Sequence, residues 1–182
     1  MSDDVRDSIG SSVFSKTFVV NTLHSTLESA KNKLNSCTKR GFDLPRIDDF
    51  TDLCHLWDIS SNYDVCKFLK DSGNLEDIEI LLSLGLSARL NEILFGIVGN
   101  MACYPEFVDE IYRSISLKDH IDNCLIYVDA EMIHQLLRIV YAFCRTNDSS
   151  GQKELLVKHL KEPLIYILKN SSNRNYLYSS YL

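Results

Sequence analysis

Two stretches of this chain repeat the same pattern at a fixed distance. Ile97-Val98-Gly99-Asn100-Met101-Ala102-Cys103 aligns with Ile139-Val140-Tyr141-Ala142-Phe143-Cys144-Arg145 at a step of 42 residues. The same step backwards places Leu56-Trp57-Asp58-Ile59 under Val98-Gly99-Asn100-Met101. A helical unit of this length cannot bury its apolar face alone, so neighbouring units must stack and share one continuous core.

The segments between these landmarks read as helices with their own start and stop signals. Ser15 caps a helix to about Leu34, with Val19, Leu23, Leu27, Ala30 and Leu34 on one face. A helix over 49–59 buries Phe50, Leu53, Leu56 and Trp57. Asn62 caps a short helix to Asp71, Gly73 makes a turn, and a second helix runs from Leu75 to Leu84. Gly85 ends it, and Ser87 caps a longer helix to Cys103. The order then recurs. Pro105 opens a short helix to Ser114, where its missing N–H costs nothing. A second runs over 117–128, a longer one from Met132 to Arg145, and a last one from Glu154 to Leu168. This short, medium, long order predicts an all-α, armadillo/HEAT-like right-handed solenoid with about three repeats. The expected layout is a flexible N-terminal segment over 1–14, a helical domain over 15–170, and a tail over 171–182. The Tyr-rich tail either caps the stack or forms an exposed patch for dimer or partner contact.

Composition narrows the function. With 25 acidic and 19 basic side chains the formal charge is -6, a poor footprint for coating nucleic acid. A local basic run of Lys31, Lys33, Lys39 and Arg40 keeps a nucleic-acid-binding repeat as the alternative. No stretch reaches the roughly 20 apolar residues of a membrane span, and the polar start carries no signal segment. The six cysteines are widely spread. They read as reduced core thiols of a nuclear or cytoplasmic protein, against the rival of a secreted disulfide framework. Cys54-His55 and Cys66 lack the spacing of a structural zinc site. Ser36-Cys37-Thr38-Lys39 and Tyr63-Asp64-Val65-Cys66-Lys67 have catalytic shapes without the companion motifs that give them meaning. No enzyme, metal or cofactor is expected.

Three segments carry a family resemblance. Ile9-Gly10-Ser11-Ser12-Val13-Phe14-Ser15-Lys16, Leu56-Trp57-Asp58-Ile59-Ser60 and the run from Arg89 to Cys103 resemble, in order and rough spacing, motifs of the serum amyloid A-like, or synoviocyte proliferation-associated, proteins. The family form has Arg-Glu where this chain has Asn91-Glu92, and Cys-Val where it has Leu94-Phe95. The resemblance covers roughly 9–106. It implies an armadillo-like fold, a link to cell proliferation, partial nuclear residence and no established catalysis. It does not imply kinship with serum amyloid A lipoproteins.

The expected role is therefore a scaffold that binds an unidentified protein or peptide on the face of the long third helices. Trp57, Asp58, Glu92, Gly96, Asn100, His134 and Arg138 are its candidate residues, with Arg145 on the same polar side as Arg138. Asn100 resembles the late third-helix asparagine with which other armadillo proteins hold a peptide backbone. Asp58 and Ala142 at equivalent positions do not continue that ladder. Trp57 is read as core, or else as a contact anchor. The mid-helix pair Gly96 and Gly99 signals close helix packing, or else a bare surface. If the face is open, replacing Asn100 with alanine and Arg138 with glutamate should weaken binding without lowering the melting temperature.

Overall fold

The computed structural model describes residues 7–37, 50–116, 119–120 and 130–146, with helical positions 158, 160–162, 164–165 and 169 beyond them. Seven helices are delimited: α1 (Lys16–Cys37), α2 (Thr51–Ile59), α3 (Tyr63–Asp71), α4 (Asn74–Ser83), α5 (Ala88–Ala102), α6 (Pro105–Ser114) and α7 (Ala130–Arg145). Among the described residues there is no strand, only an isolated bridge between Ser8 and Ser15. The chain is an all-α helical solenoid.

Local chemistry sets the helix ends. The Ser15 hydroxyl accepts from Phe18 N at 3.0 Å, Asn62 accepts from Asp64 N at 2.9 Å, and Ser87 accepts from Leu90 N at 3.1 Å. Each satisfies a first-turn N–H that has no partner within its helix. Pro105 begins α6, and Gly85 follows α4 with φ of 58°. The expected helix over 117–128 shows only positions 119 and 120, and the last helix only scattered positions. The rest of both, the basic pair Lys39 and Arg40, and the tail over 171–182 lie outside the described residues.

The repeat is visible in the helix starts. Tyr63 of α3 and Pro105 of α6 are one 42-residue step apart, as are Ala88 of α5 and Ala130 of α7. The long helices lie side by side: α5 packs on α2 at one flank and, most extensively among the described helix pairs, on α7 at the other. α5 is apolar nearly all round because it is enclosed. Leu90, Ile93, Leu94, Phe95, Ile97, Val98 and Met101 are fully buried along it. Each such side chain contributes roughly 1.5–3 kcal/mol relative to full exposure.

Polar contacts between units span roughly one repeat, from 38 to 43 residues. Asn100 Nδ2 donates to Trp57 O across 43 residues, and Tyr104 Oη donates to Ser61 O, again across 43. His120 Nε2 meets Glu79 Oε2 across 41, and Arg138 Nη2 donates to Asn100 Oδ1 across 38. Tyr63 of one unit lies edge-on to Tyr104 of the next at 5.2 Å and stacks on Phe107 at 5.6 Å.

The N-terminal boundary differs from the sequence expectation. The part of the 1–14 segment from residue 7 onward is tied into the fold. Ile9 is buried in the core, and its N–H donates to Phe14 O at 2.8 Å. Ser11 donates to Asp64 Oδ2 of α3 through both its N–H and its hydroxyl, each at 2.9 Å. Gly10 makes this possible. Its φ is +56°, and a Cβ there would stand 2.5 Å from Asp64 Cγ. Asp7 accepts from Ser15 Oγ and from Thr17 N at 2.8 Å. These bonds, the one from Ser15 foremost, hold its carboxyl below the usual range.

Candidate functional site

The expected residues fall into two groups. Trp57, Gly96, Asn100 and Arg138 form one continuous chain of contacts across α2, α5 and α7. Asp58, Glu92 and His134 stand apart from it. Asp58 is exposed at the end of α2. Glu92 accepts an ion pair from Arg89 Nη1 at 2.7 Å, one turn earlier on its own helix. His134 is half-buried, and among the described residues no hydrogen bond joins it to Glu92.

Gly96 is covered, not bare. The Trp57 indole lies so close that a Cβ on Gly96 would sit 2.2 Å from Trp57 Cε2. The glycine is thus a seat for the ring, and Trp57 is part of the core margin. Gly99 is a milder case. A Cβ there would meet the Arg138 guanidinium at 3.5 Å, an ordinary contact.

Asn100 braces three helices. Its Nδ2 donates to Trp57 O at 3.1 Å and to Ser60 Oγ at 3.0 Å, and its Oδ1 accepts from Arg138 Nη2 at 3.0 Å. Both amide hydrogens are committed inside the protein, so the side chain has no donor left for a peptide backbone. The amide holds the neighbouring unit where a groove asparagine would hold a ligand. Ser60 is itself buried and donates to Trp57 O at 2.6 Å.

The open space lies farther along α5. A cleft of about 690 Å³ runs between α5, α6 and α7. Gly99 and Ala102 form its floor, and Pro105 and Asp109 of α6 one wall. Arg138, Tyr141, Ala142 and Arg145 of α7 form the other. Arg138 is held by Gln135 Oε1 at 2.6 Å as well as by Asn100. The Arg145 guanidinium lies over the Tyr141 ring, 5.5 Å from its centroid. Sequence reading had placed Arg145 beside Arg138 but missed Tyr141 and the α6 wall. The 42-residue step marked position 141 only as part of the repeat, and the α6 contribution is tertiary.

A second polar pair was also missed. His120 is buried and meets Glu79 Oε2 at 2.9 Å, while Ser116 N donates to the same oxygen at 3.3 Å. Burial works against the Glu79 carboxylate. The bond and charge of His120, with the Ser116 donors, outweigh it and hold its pKa below the ordinary glutamate value. The Phe95 ring lies edge-on to the imidazole at 5.6 Å. This pair bridges adjacent units away from the cleft.

Among the described cysteines, Cys54, Cys66 and Cys103 are free thiols; Cys37 and Cys124 fall outside the described side chains. Cys66 fits the core expectation. Burial, with Cys103 nearby, pushes its thiol up to about 12, and it donates to Ser60 O at 2.9 Å. Cys103 does not fit. It sits just past the end of α5 and is exposed at the cleft rim. Among the described residues no three His, Cys, Asp or Glu side chains converge as a metal site requires. No described helix is long and apolar enough to cross a membrane.

Comparison with known proteins gives one consistent relationship. The chain is 28% identical over 175 residues to Protein SAAL1 of Homo sapiens, an alignment covering 92% of this chain and 36% of that protein. It is 25% identical over 178 residues to Protein SAAL1 of Mus musculus, with the same two coverages. Over 101 residues it is 30% identical to Protein saal1 of Danio rerio, covering 55% of this chain and 21% of that protein. The chain thus spans about a third of the length of the curated relatives it matches. No family model and no solved structure matches it.

Proposed function

We propose, on the premise that this chain is homologous to the SAAL1 family, that it is a non-enzymatic scaffold whose long-helix face binds a protein partner. The observation that carries this reading is the cleft between α5, α6 and α7. It is the size of a small recognition site, and it combines an aromatic ring, two guanidinium groups and a small-residue floor. Tyr and Arg are enriched where proteins meet because they offer much contact at low entropic cost. The candidate surface is therefore centred on Arg138 and runs towards Arg145. Trp57, Gly96 and Asn100 support it from behind. Asp58 on α2, Glu92 on α5 and His134 on α7 stand outside the cleft lining and enter this reading only as residues a larger partner would reach. A nuclear or cytoplasmic location and a role in cell proliferation, both implied by the family resemblance, accompany this reading.

The test is quantitative affinity capture from cell extract with three baits. One is wild type, one carries Tyr141→Ala with Arg145→Glu, and one carries Val20→Glu on the exposed side of α1. Proteins lost from the cleft variant but kept by the α1 variant support the reading. An identical set on all three, with melting temperatures unchanged, removes this face from consideration.

A further inference from the structure

We infer that the cleft holds an extended peptide by one acidic side chain, an aspartate or glutamate carboxylate seated between Arg138 and Arg145. The inference deepens the proposal above and rests on it.

The first argument is charge. The chain carries a formal charge of -6, yet α7 presents two arginines to one cleft. They are seven residues apart, which returns them to the same side of the helix, about 10 Å apart along its axis. Among the described residues neither meets a carboxylate within ion-pair distance. Arg89 and Arg113 are different, since each pairs with a glutamate three residues before or after it, at 2.7 Å to Glu92 and 3.9 Å to Glu110. Self-neutralisation within a helix is thus the habit of this protein, and the cleft arginines depart from it.

The second argument is positioning. Arg138 is half-buried, and its hydrogen-bond partners are the neutral amide oxygens of Gln135 and Asn100. Those bonds orient the guanidinium without cancelling its charge. Gly99 leaves it room to lie on the surface of α5, at 3.5 Å from where a Cβ would stand. Arg145 is steadied by the Tyr141 face, a contact that leaves its N–H edge available. A guanidinium fork matches a carboxylate in plane and in donor spacing.

The third argument separates a peptide from a nucleic acid. A phosphate chain needs several cations in register along its path. Here Asp109 faces the arginines from α6, and the net charge of the chain repels a polyanion. A single carboxylate flanked by neutral backbone suits this mixed lining. The Gly99 and Ala102 floor is low enough for that backbone to pass.

The experiment is selection of a random dodecapeptide phage library on the wild-type chain. The selected peptide is then synthesised with a fluorescein label and measured by anisotropy. Enrichment of Asp or Glu at one position is expected. Changing that residue to Gln should weaken binding about tenfold, the equivalent of one charge-assisted contact. Arg145→Glu should do the same, and a Lys peptide should bind Arg145→Glu better than it binds wild type. Ala142→Trp, which fills the cleft, should abolish binding while circular dichroism stays unchanged. Peptides that need the cleft but show no acidic preference overturn the inference and leave the binding face intact. Peptides indifferent to both Ala142→Trp and Arg145→Glu overturn the binding face as well. Failure to enrich any peptide, or a phosphoserine or RNA ligand preferred over the carboxylate, also overturns the inference.

Discussion

Gly96 and Gly99 stand one turn apart on the same helix, and they face two different interfaces. Towards α2, Gly96 is filled by the Trp57 indole, and the helices meet with no space between them. Towards α7, Gly99 is overlain by a guanidinium, and the space beyond it opens into a cleft. One flank of α5 is therefore an interior seam, while the other is a seam that parts. The same residue type at near-identical sequence positions does opposite jobs because the partner differs. A rigid aromatic ring excludes any added atom. A jointed, charged side chain tolerates one and keeps water close by.

Substitutions can pull that contrast apart. Gly96→Ala should be the most damaging, since the new Cβ meets a ring that has nowhere to go. A loss of about 3 kcal/mol is expected, towards the upper end for overpacking. In a domain of this size that lowers the melting temperature by roughly 6–12 °C. Adding Trp57→Ala should cost less than the two single changes together, because the clash vanishes with the ring. A fully additive pair would sink the account of the seat.

Asn100→Ala comes next. It strips Trp57 O and Arg138 of a partner at once and should cost roughly 1–3 kcal/mol, read as a shift in urea midpoint. This reverses the expectation from sequence that the change would spare stability. An unchanged midpoint would restore Asn100 as a groove residue.

Glu79→Gln tests the remaining bridge between units and should cost about 1 kcal/mol at neutral pH. The folded pKa of Glu79 lies below its ordinary 4.5, so its contribution is present above that value. It fades as pH falls through the folded pKa. The melting difference between variant and wild type should therefore close below about pH 4.5. A difference that persists undiminished in acid would mean that the carboxylate charge plays no part.

The smallest effect should have the opposite sign. Gly99→Ala puts a Cβ at ordinary contact distance from Arg138 and removes a mid-helix glycine. A gain of roughly 0.5–1 kcal/mol is expected. If both glycine variants destabilise alike, the two flanks of α5 do not differ as described.

Much of the fold was legible because its signals are local. Ser15, Asn62, Ser87 and Pro105 announce helix starts through chemistry confined to one turn, and the structure places each at a helix start. The 42-residue step was legible for a similar reason, since stacking repeats the same burial pattern in every unit. What stayed hidden depends on partners remote in sequence. The Ile9-Gly10-Ser11-Ser12 motif looked like a loose lead-in until Asp64 supplied its hydrogen-bond partner. Asn100 pointed to a ligand by analogy, but its acceptor is a backbone carbonyl of the preceding unit, and a carbonyl carries no sequence signature. The cleft was half legible. Its arginines were visible on α7, whereas the wall from α6 arises only when the units are stacked.

The brace at Asn100 has a consequence for how the stack comes apart. Repeat arrays commonly melt from an end, one unit peeling off while its neighbours persist. Here a single amide is bonded simultaneously to the helix before it and the helix after it. Releasing either neighbour disturbs the geometry of the other, so fraying at one side is felt at the far side. Denaturation of this region should then register as a single sharp event, with α2, α5 and α7 losing hydrogen-exchange protection together.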